Sequence, residues 1–267
     1  MTNTINAAVN PALANNLLNK ALNETPKEVL PEINSPLDTT VDLPGGFITA
    51  TGEVIRTAEV RELTGRDEEA IAKTSNIGKA LMIILQRGTV KIGDEKADEK
   101  MLDQLLIGDR DALLLGILRV TFGNKVKIPV FVDNEEKLVE VDITADIKNK
   151  ILTDPLNDRM FTVKGKKSQF TVRLPDGIVQ KKMIDNMDKT SAELSTIVLE
   201  GTVTQIDSAP VYSAAQVQAL SVIDRRTIIE AINKRAPGPQ FEDVVVKDPE
   251  TGSEVLVPIN LGSLFQF

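Results

Sequence analysis

Two Asp–Arg pairs, Asp109-Arg110 and Asp224-Arg225, are the side chains whose repetition first suggests chemistry, and each opens an apolar helical pattern. Adjacent residues on a helix point in different directions, so neither pair forms an acid–base couple by itself. Asp is among the residues preferred at helix N-caps, which favours capping over catalysis. The pairs therefore predict two helix starts of the same kind.

Acidic clusters and Gly–Lys dipeptides are the other candidates for binding chemistry. Carboxylates at 94–99, 133–136 and 242–243 could hold Ca²⁺ or Mg²⁺, but the spaced loop with a central glycine that calcium sites use is absent. Gly78-Lys79 and Gly165-Lys166 each lack the partner glycine of a phosphate-binding loop. A Ser–Lys dyad or a carboxylate pair stays open, although no spacing singles one out. We expect no catalytic, cofactor-binding or metal-binding residues and no cofactor.

Composition narrows the classes of protein further. The 267 residues include no Cys, His or Trp, which removes disulfides, thiolate and imidazole metal sites, and Ser–His–Asp or Cys–His nucleophiles. A formal net charge of −8 disfavours nucleic acid as a partner, despite a local basic patch at Lys164, Lys166 and Lys167. No apolar run reaches the roughly 18 residues of a membrane span, and the N-terminus does not read as a secretory signal. We expect a soluble, non-enzymatic protein made in a cytoplasm, with no membrane or nucleic-acid partner.

The two ends of the chain carry apolar residues that could dock on a neighbour. Residues 1–44 are rich in Asn and Pro, and a short amphipathic helix is expected at 11–23. This segment is either a disordered leader or an extended docking arm. The apolar tail 261–267 either folds back on the second half or anchors another subunit. The candidate interaction residues at the two ends are Leu13, Leu17, Leu18, Leu22, Leu264, Phe265 and Phe267.

Between these ends the pattern predicts an α+β fold. A hairpin is expected at Thr51-Gly52, followed by one helix over 65–88 and two further helices, the second of which runs from Asp109 to Gly123. A closing hairpin over 126–143 completes the first half. The second half is expected to end in a hairpin as well, over 241–259.

Short matches between the halves recur at an offset that changes little along the chain. Residues 59–63 match 170–174, each leading into a helix start, and Asp109-Arg110 matches Asp224-Arg225. Such ordered matches predict an internal duplication, with the alternative of two unrelated α+β domains. The predicted domains are 45–145 and 166–267, with 146–165 as the linker.

The run Arg-Glu-Leu-Thr-Gly-Arg-Asp-Glu-Glu at 61–69 is similar to the opening signature of phage proteins classed with T-even baseplate hub assembly. Leu174-Pro175-Asp176-Gly177, the Asp224 helix that ends at Pro237-Gly238, and the C-terminal Leu-Phe pair also resemble that family. The resemblance extends from about Leu43 to the last residue. Relatives often carry cysteine pairs in the closing hairpins, which suggests zinc-binding knuckles. The residues at those places here are Val130, Val132, Val246 and Asp248.

The resemblance implies a structural component of a contractile phage tail baseplate, in the hub region, that acts by protein–protein docking. The implied partners are other tail and baseplate proteins, and its own copies in a symmetric assembly. The implied location is the virion, after synthesis in the bacterial host cytoplasm. A non-virion assembly chaperone of the same family is the first alternative, and an enzyme with a carboxylate or Lys site is a remote one. Without cysteine, packing and hydrogen bonds would hold the closing hairpins in place of zinc.

Overall fold

Strand pairs and helix pairs alternate along the chain in the computed structural model, which describes residues 38–132, 135–242, 244–247 and 252–265. The predicted α+β class is confirmed for these residues. Most of the predicted N-terminal arm lies outside them. So do its candidate contacts Leu13, Leu17, Leu18 and Leu22 and the tail residue Phe267.

The first half forms a hairpin, two helices, a second hairpin and two more helices before its closing hairpin. The elements are β1 (Thr40–Ile48), β2 (Val54–Val60), α1 (Gly65–Ile71), α2 (Ile77–Gly88), β3 (Thr89–Ile92), β4 (Glu95–Lys96), α3 (Glu99–Gln104), α4 (Ile107–Phe122), β5 (Lys125–Val132) and β6 (Glu135–Asp142). Strands β1 to β4 form one antiparallel sheet in sequence order, and β5 pairs with β6.

The second half runs through a similar series. Its elements are β7 (Asn149–Lys150), β8 (Met160–Lys164), β9 (Gln169–Arg173), α5 (Gly177–Ile184), α6 (Ser191–Thr202), β10 (Val203–Ile206), β11 (Ala209–Pro210), α7 (Ala214–Gln218), α8 (Val222–Arg235), β12 (Gly238–Pro239), β13 (Val245–Lys247), β14 (Glu254–Leu256) and α9 (Leu261–Leu264). Strands β8 to β11 form a second antiparallel sheet in sequence order. Strand β13 pairs with β14, and β12 pairs with β7.

The two larger sheets share their strand order and their pairing. In each sheet the second strand bonds the third with the same register, and a bulge interrupts both at the same place. The matching pairs are Ala58–Ile92 and Phe170–Ile206, Glu59–Lys91 and Thr171–Gln205, and, beyond the bulge, Val60–Thr89 and Val172–Val203.

The helices of the two halves can be aligned by their N-caps. The N-cap pairs are Thr64 and Asp176, Asn76 and Thr190, Asp98 and Ser213, and Leu106 and Ser221. We call residues at the same distance from paired N-caps corresponding residues. By this alignment α1 corresponds to α5, α2 to α6, α3 to α7 and α4 to α8.

The hydrophobic core does not divide as the predicted domains do. The largest cluster joins buried side chains of 41–147 with those of 244–265, whereas a second cluster lies within 163–232. Hairpin β13–β14 and helix α9 therefore pack on the first half, where α9 contacts α2, α4 and β5. From Asp38 onward the described residues form one compact unit.

Two predicted boundaries differ from the structure. The single helix expected over 65–88 is two helices, because Asn76 caps a new helix by accepting a hydrogen bond from the Lys79 amide at 3.0 Å. The stretch 146–165, predicted as a linker, contains β7 and β8. Strand β8 forms there because it pairs along its whole length with β9 and buries Val163 in the second cluster.

Candidate interaction surface

Asp109 ties helix α4 to the first hairpin of its own half. It is the third residue of α4, whose N-cap is Leu106, so the predicted capping role is wrong. Its carboxylate accepts hydrogen bonds from the backbone amides of Gly45 at 2.6 Å and Gly46 at 3.2 Å. The side chain is fully buried, and this burial raises the pKa of the Asp109 carboxyl.

Asp224 makes the corresponding tie in the second half. It is also the third residue of its helix, α8, whose N-cap is Ser221. The Asp224 carboxylate accepts from the Lys166 amide, in the β8–β9 turn, at 2.7 Å and from the Ser221 hydroxyl at 2.7 Å. Both aspartates thus hold a helix against a hairpin, which is a structural role.

Arg110 and Arg225 each make the same kind of hydrogen bond, but their surroundings differ. Each guanidinium donates to the carbonyl eight residues earlier, at 2.6 Å to Leu102 and at 3.3 Å to Val217. Arg110 is only 2% exposed, because the start of α5 covers it so closely that a Cβ at Gly177 would overlap the guanidinium. Arg225 is partly exposed. The same local motif is therefore covered in the first half and open in the second.

Helix α5 of the second half docks in a groove of the first half, a contact that we call the internal joint. Its backbone part pairs the two chain segments directly. The Gly177 amide donates to the Leu105 carbonyl at 2.9 Å, and the Ile107 amide donates to the Pro175 carbonyl at 3.2 Å. The joint thus resembles a short strand pairing between the start of α5 and the turn that precedes α4.

Side chains along α5 complete the internal joint. The Lys181 ammonium binds the carboxylates of Glu99 at 2.6 Å and Asp103 at 3.0 Å on α3. Further along, Ile184 packs so closely against Gly78 of α2 that a Cβ there would lie 2.9 Å from it. The groove of the first half is therefore filled by a helix from start to end.

The corresponding groove of the second half, which we call the second-half groove, lies between α6, α7 and α8. It encloses about 690 Å³, and its lining includes Ala192, Glu193, Thr196, Leu220, Val222 and Arg225. Arg225 spans the groove floor by donating to the Ala192 carbonyl at 3.0 Å and to the Thr196 hydroxyl at 2.8 Å. At its rim Val222 is 65% exposed and Ile223 is 59% exposed. Exposed apolar side chains beside a shaped groove are typical of a docking site.

The predicted anchor residues Leu264 and Phe265 of the C-terminal tail are buried in the core. Leu264 and Phe265 are each 3% exposed and belong to the largest core cluster. The structure therefore gives these two side chains a core role in place of the predicted docking role. The alternative prediction, folding back on the second half, also differs from the structure, because they pack on the first half.

One carboxyl has a pKa suited to proton transfer. Asp111 lies in a cavity of about 540 Å³ between the start of α4 and the segment 237–242. Burial raises its pKa to about 7, against the opposing effect of Arg110. The lining also holds a second carboxyl, Glu242, and among its described residues it includes no Ser, Thr, Tyr or Lys.

Metal-binding clusters and membrane-spanning helices are both absent from the described residues. No group of three or more His, Cys, Asp or Glu residues in the described ranges could hold a metal ion. Likewise, no helix built from those ranges is both long enough and apolar enough to cross a membrane.

The molecule thus presents one filled groove, one open groove and one cavity that holds two carboxyls. Comparison with protein-family models, with curated proteins and with solved structures found no significant match to this chain.

Proposed function

We propose that this chain is a non-enzymatic docking protein of a contractile phage tail baseplate, acting in the hub region. The observation that supports docking is the second-half groove, which is open, has an apolar rim and is built like the groove that receives α5. The assignment to a phage tail is supported by the resemblance carried by 61–69, 174–177 and 237–238.

We also propose that the two halves are copies of one ancestral unit. The support is the same strand order, the same pairing registers and the same bulge in the two sheets. The four pairs of N-caps support the same proposal. So do the hydrogen bonds by which Asp109 and Asp224 each hold a helix against a hairpin. Because 244–265 packs on the first half, the copies would fold together and not as independent domains.

The proposed partners are other tail and baseplate proteins, and the proposed location is the virion. A net charge of −8 supports protein over nucleic acid as the partner. A non-virion assembly chaperone would use the same groove transiently and leave before the particle is complete.

Quantitative mass spectrometry of purified particles beside the infected lysate tests this proposal. A fixed, small copy number in the particles supports a structural baseplate component. Presence with tail proteins in the lysate, and absence from particles, supports the chaperone. A chain that accompanies no tail protein in either sample contradicts the proposal. A turnover that Asp111→Ala abolishes while the fold stays intact would favour the enzyme alternative.

A further inference from the structure

Each half contains one groove and one helix that follows its first hairpin, yet the internal joint uses only one groove and one such helix. Helix α5 of the second half fills the groove of the first half. Helix α1, which corresponds to α5, is exposed at Gly65, Arg66 and Glu69, and Ala72, which directly follows it, is exposed as well. The second-half groove has no occupant among the described residues. One free helix and one free groove of matching build therefore remain on every chain.

We propose that α1 of one copy docks in the second-half groove of another copy, so that chains join head to tail by repeating the internal joint. This inference rests on the proposed docking function and names a second copy of this chain as the partner. The corresponding surfaces, helix α5 and the groove of the first half, already bind each other within the chain, which is why a second copy fits the groove better than an unrelated helix does.

The backbone groups needed for this contact are free. In the internal joint, hydrogen bonds connect the Leu105 carbonyl and Ile107 amide to the start of α5. The corresponding groups are the Leu220 carbonyl and the Val222 amide in the groove, and the Gly65 amide and the Leu63 carbonyl at α1. Across the described ranges none of these four groups has a hydrogen-bond partner. Docking α1 would pair all four.

Charged side chains at the far end of the joint match as well. In the internal joint Lys79 of α2 faces Asp185, just after α5, at 3.8 Å. Lys79 corresponds to Glu193 on α6, and Asp185 corresponds to Lys73, just after α1. Both charges are therefore reversed, and the two residues would still attract each other. Such exposed pairs add little affinity, but they favour one register and one orientation. At the neighbouring contact Ala72 would meet Ala192, two small side chains that let the helices approach.

The repeated contact differs from the internal joint at one place. Gly108 allows the start of α4 to touch the backbone of Pro237 and Gly238, and a Cβ at Gly108 would overlap that backbone. The residue corresponding to Gly108 is Ile223, so the two chains stay further apart there. Ile223 would instead pack on Phe122, at the C-terminal end of α4, and these two side chains are 59% and 57% exposed. An apolar contact thus replaces a close backbone contact.

A helix on one copy and a groove on the next make a heterologous interface. Every copy added leaves one helix and one groove free, unless the rotation between copies closes a ring. The inference therefore predicts either a filament or a closed ring, and the smallest such ring is a dimer in which each copy docks its α1 in the groove of the other.

Disulfide trapping can test the contact directly, because the chain has no native cysteine. In the internal joint the Lys181 Nζ lies 3.0 Å from the Asp103 Oδ2. The residues that correspond to Lys181 and Asp103 are Glu69 and Gln218, which are both exposed. Glu69→Cys and Gln218→Cys are made in separate full-length chains, mixed and oxidised. We expect covalent dimers in the mixture and none with either variant alone. Dimers from one variant alone, or none in the mixture, would overturn the head-to-tail contact.

Sedimentation velocity over a range of concentrations supplies an independent readout. We expect the full chain to exceed its monomer mass of 29.1 kDa as concentration rises. Val222→Asp should weaken this association by at least about tenfold. Leu156→Asp, at a 53% exposed apolar side chain outside the groove, should leave the association unchanged.

A wild-type chain that stays monomeric overturns the inference. If such a monomer still binds tail proteins, the proposed docking function survives, and if it does not, both fail.

Discussion

Two aspartates of the first half have pKa values shifted in opposite directions. Burial raises the pKa of Asp111 to about 7. Hydrogen bonds from Arg61 at 2.8 Å, together with those from Thr64 and Arg87, hold the pKa of Asp67 well below its usual range. Because folded Asp111 binds its proton more tightly than the unfolded chain does, its contribution to the free energy of unfolding falls as pH rises from about 4 to about 7. The contribution of Asp67 has the opposite sign: it is present above the ordinary Asp pKa and is lost as pH falls below it.

Asp111→Asn should therefore stabilise the protein at pH 8 and have little effect at pH 4. The amide keeps the shape of the carboxyl and removes a partly buried charge, so we expect a gain of roughly 1–3 kcal/mol at pH 8. Urea unfolding at the two pH values measures it. Asp67→Asn is the matched control, since it should lower the free energy of unfolding at pH 8. An Asp111→Asn protein that is no more stable at pH 8 would show that the charged Asp111 carboxylate does not lower the free energy of unfolding.

The C-terminal elements of the fold are too short to be stable alone. Helix α9 has four residues and β13 and β14 have three each, well below the length at which isolated helices and hairpins persist. They form because Val244, Val257, Leu264 and Phe265 are buried in the largest core cluster. The tail of the chain is thus part of the core of the first half.

Phe265→Ala should consequently lower the free energy of unfolding by about 3–4 kcal/mol, the cost of an aromatic cavity in a core. Thermal or urea unfolding of the full chain measures the change. Tyr212→Ala removes an aromatic side chain that is 85% exposed and should change stability by less than about 0.5 kcal/mol. Equal effects of the two substitutions would mean that Phe265 does not contribute to the core.

The internal joint and the shared core bind the two halves into one folding unit. The joint contributes backbone pairing, the Lys181 ion pairs and the Ile184 contact. The shared core adds the buried side chains of 244–265 to those of 41–147. A first half without these contributions would expose an open groove and an incomplete core.

A fragment of residues 38–147 should therefore fail to unfold cooperatively, while co-expression with 148–267 should restore a complex with a sharp thermal transition. Calorimetry and near-UV circular dichroism of the two samples test this expectation. If the fragment alone unfolds in one sharp transition near that of the full chain, the first half is an independent domain, as its sequence boundaries predicted.

Local pattern in the chain was enough to establish much of the secondary structure. The alternation around Thr51-Gly52 predicted the β1–β2 hairpin, and apolar spacing predicted α4 within two residues of its bounds. These predictions succeeded because hairpins and amphipathic helices depend on neighbours only a few residues away. The helix break at Asn76 was missed because apolar spacing continues on both sides of a short polar turn.

Long-range partners were decided only by the tertiary structure. Asp109 looked like a helix cap, yet its amide donors lie 63 and 64 residues earlier in the chain. Leu264 and Phe265 looked like a free apolar tail, yet they fill the core of the other half. Their residue types indicated that the aspartate needed hydrogen-bond donors and that the apolar side chains had to be buried. Several surfaces of the molecule could have met either need. Which surface receives them, and which of the two grooves stays open, depends on how the elements pack, and no periodicity along the chain encodes that choice.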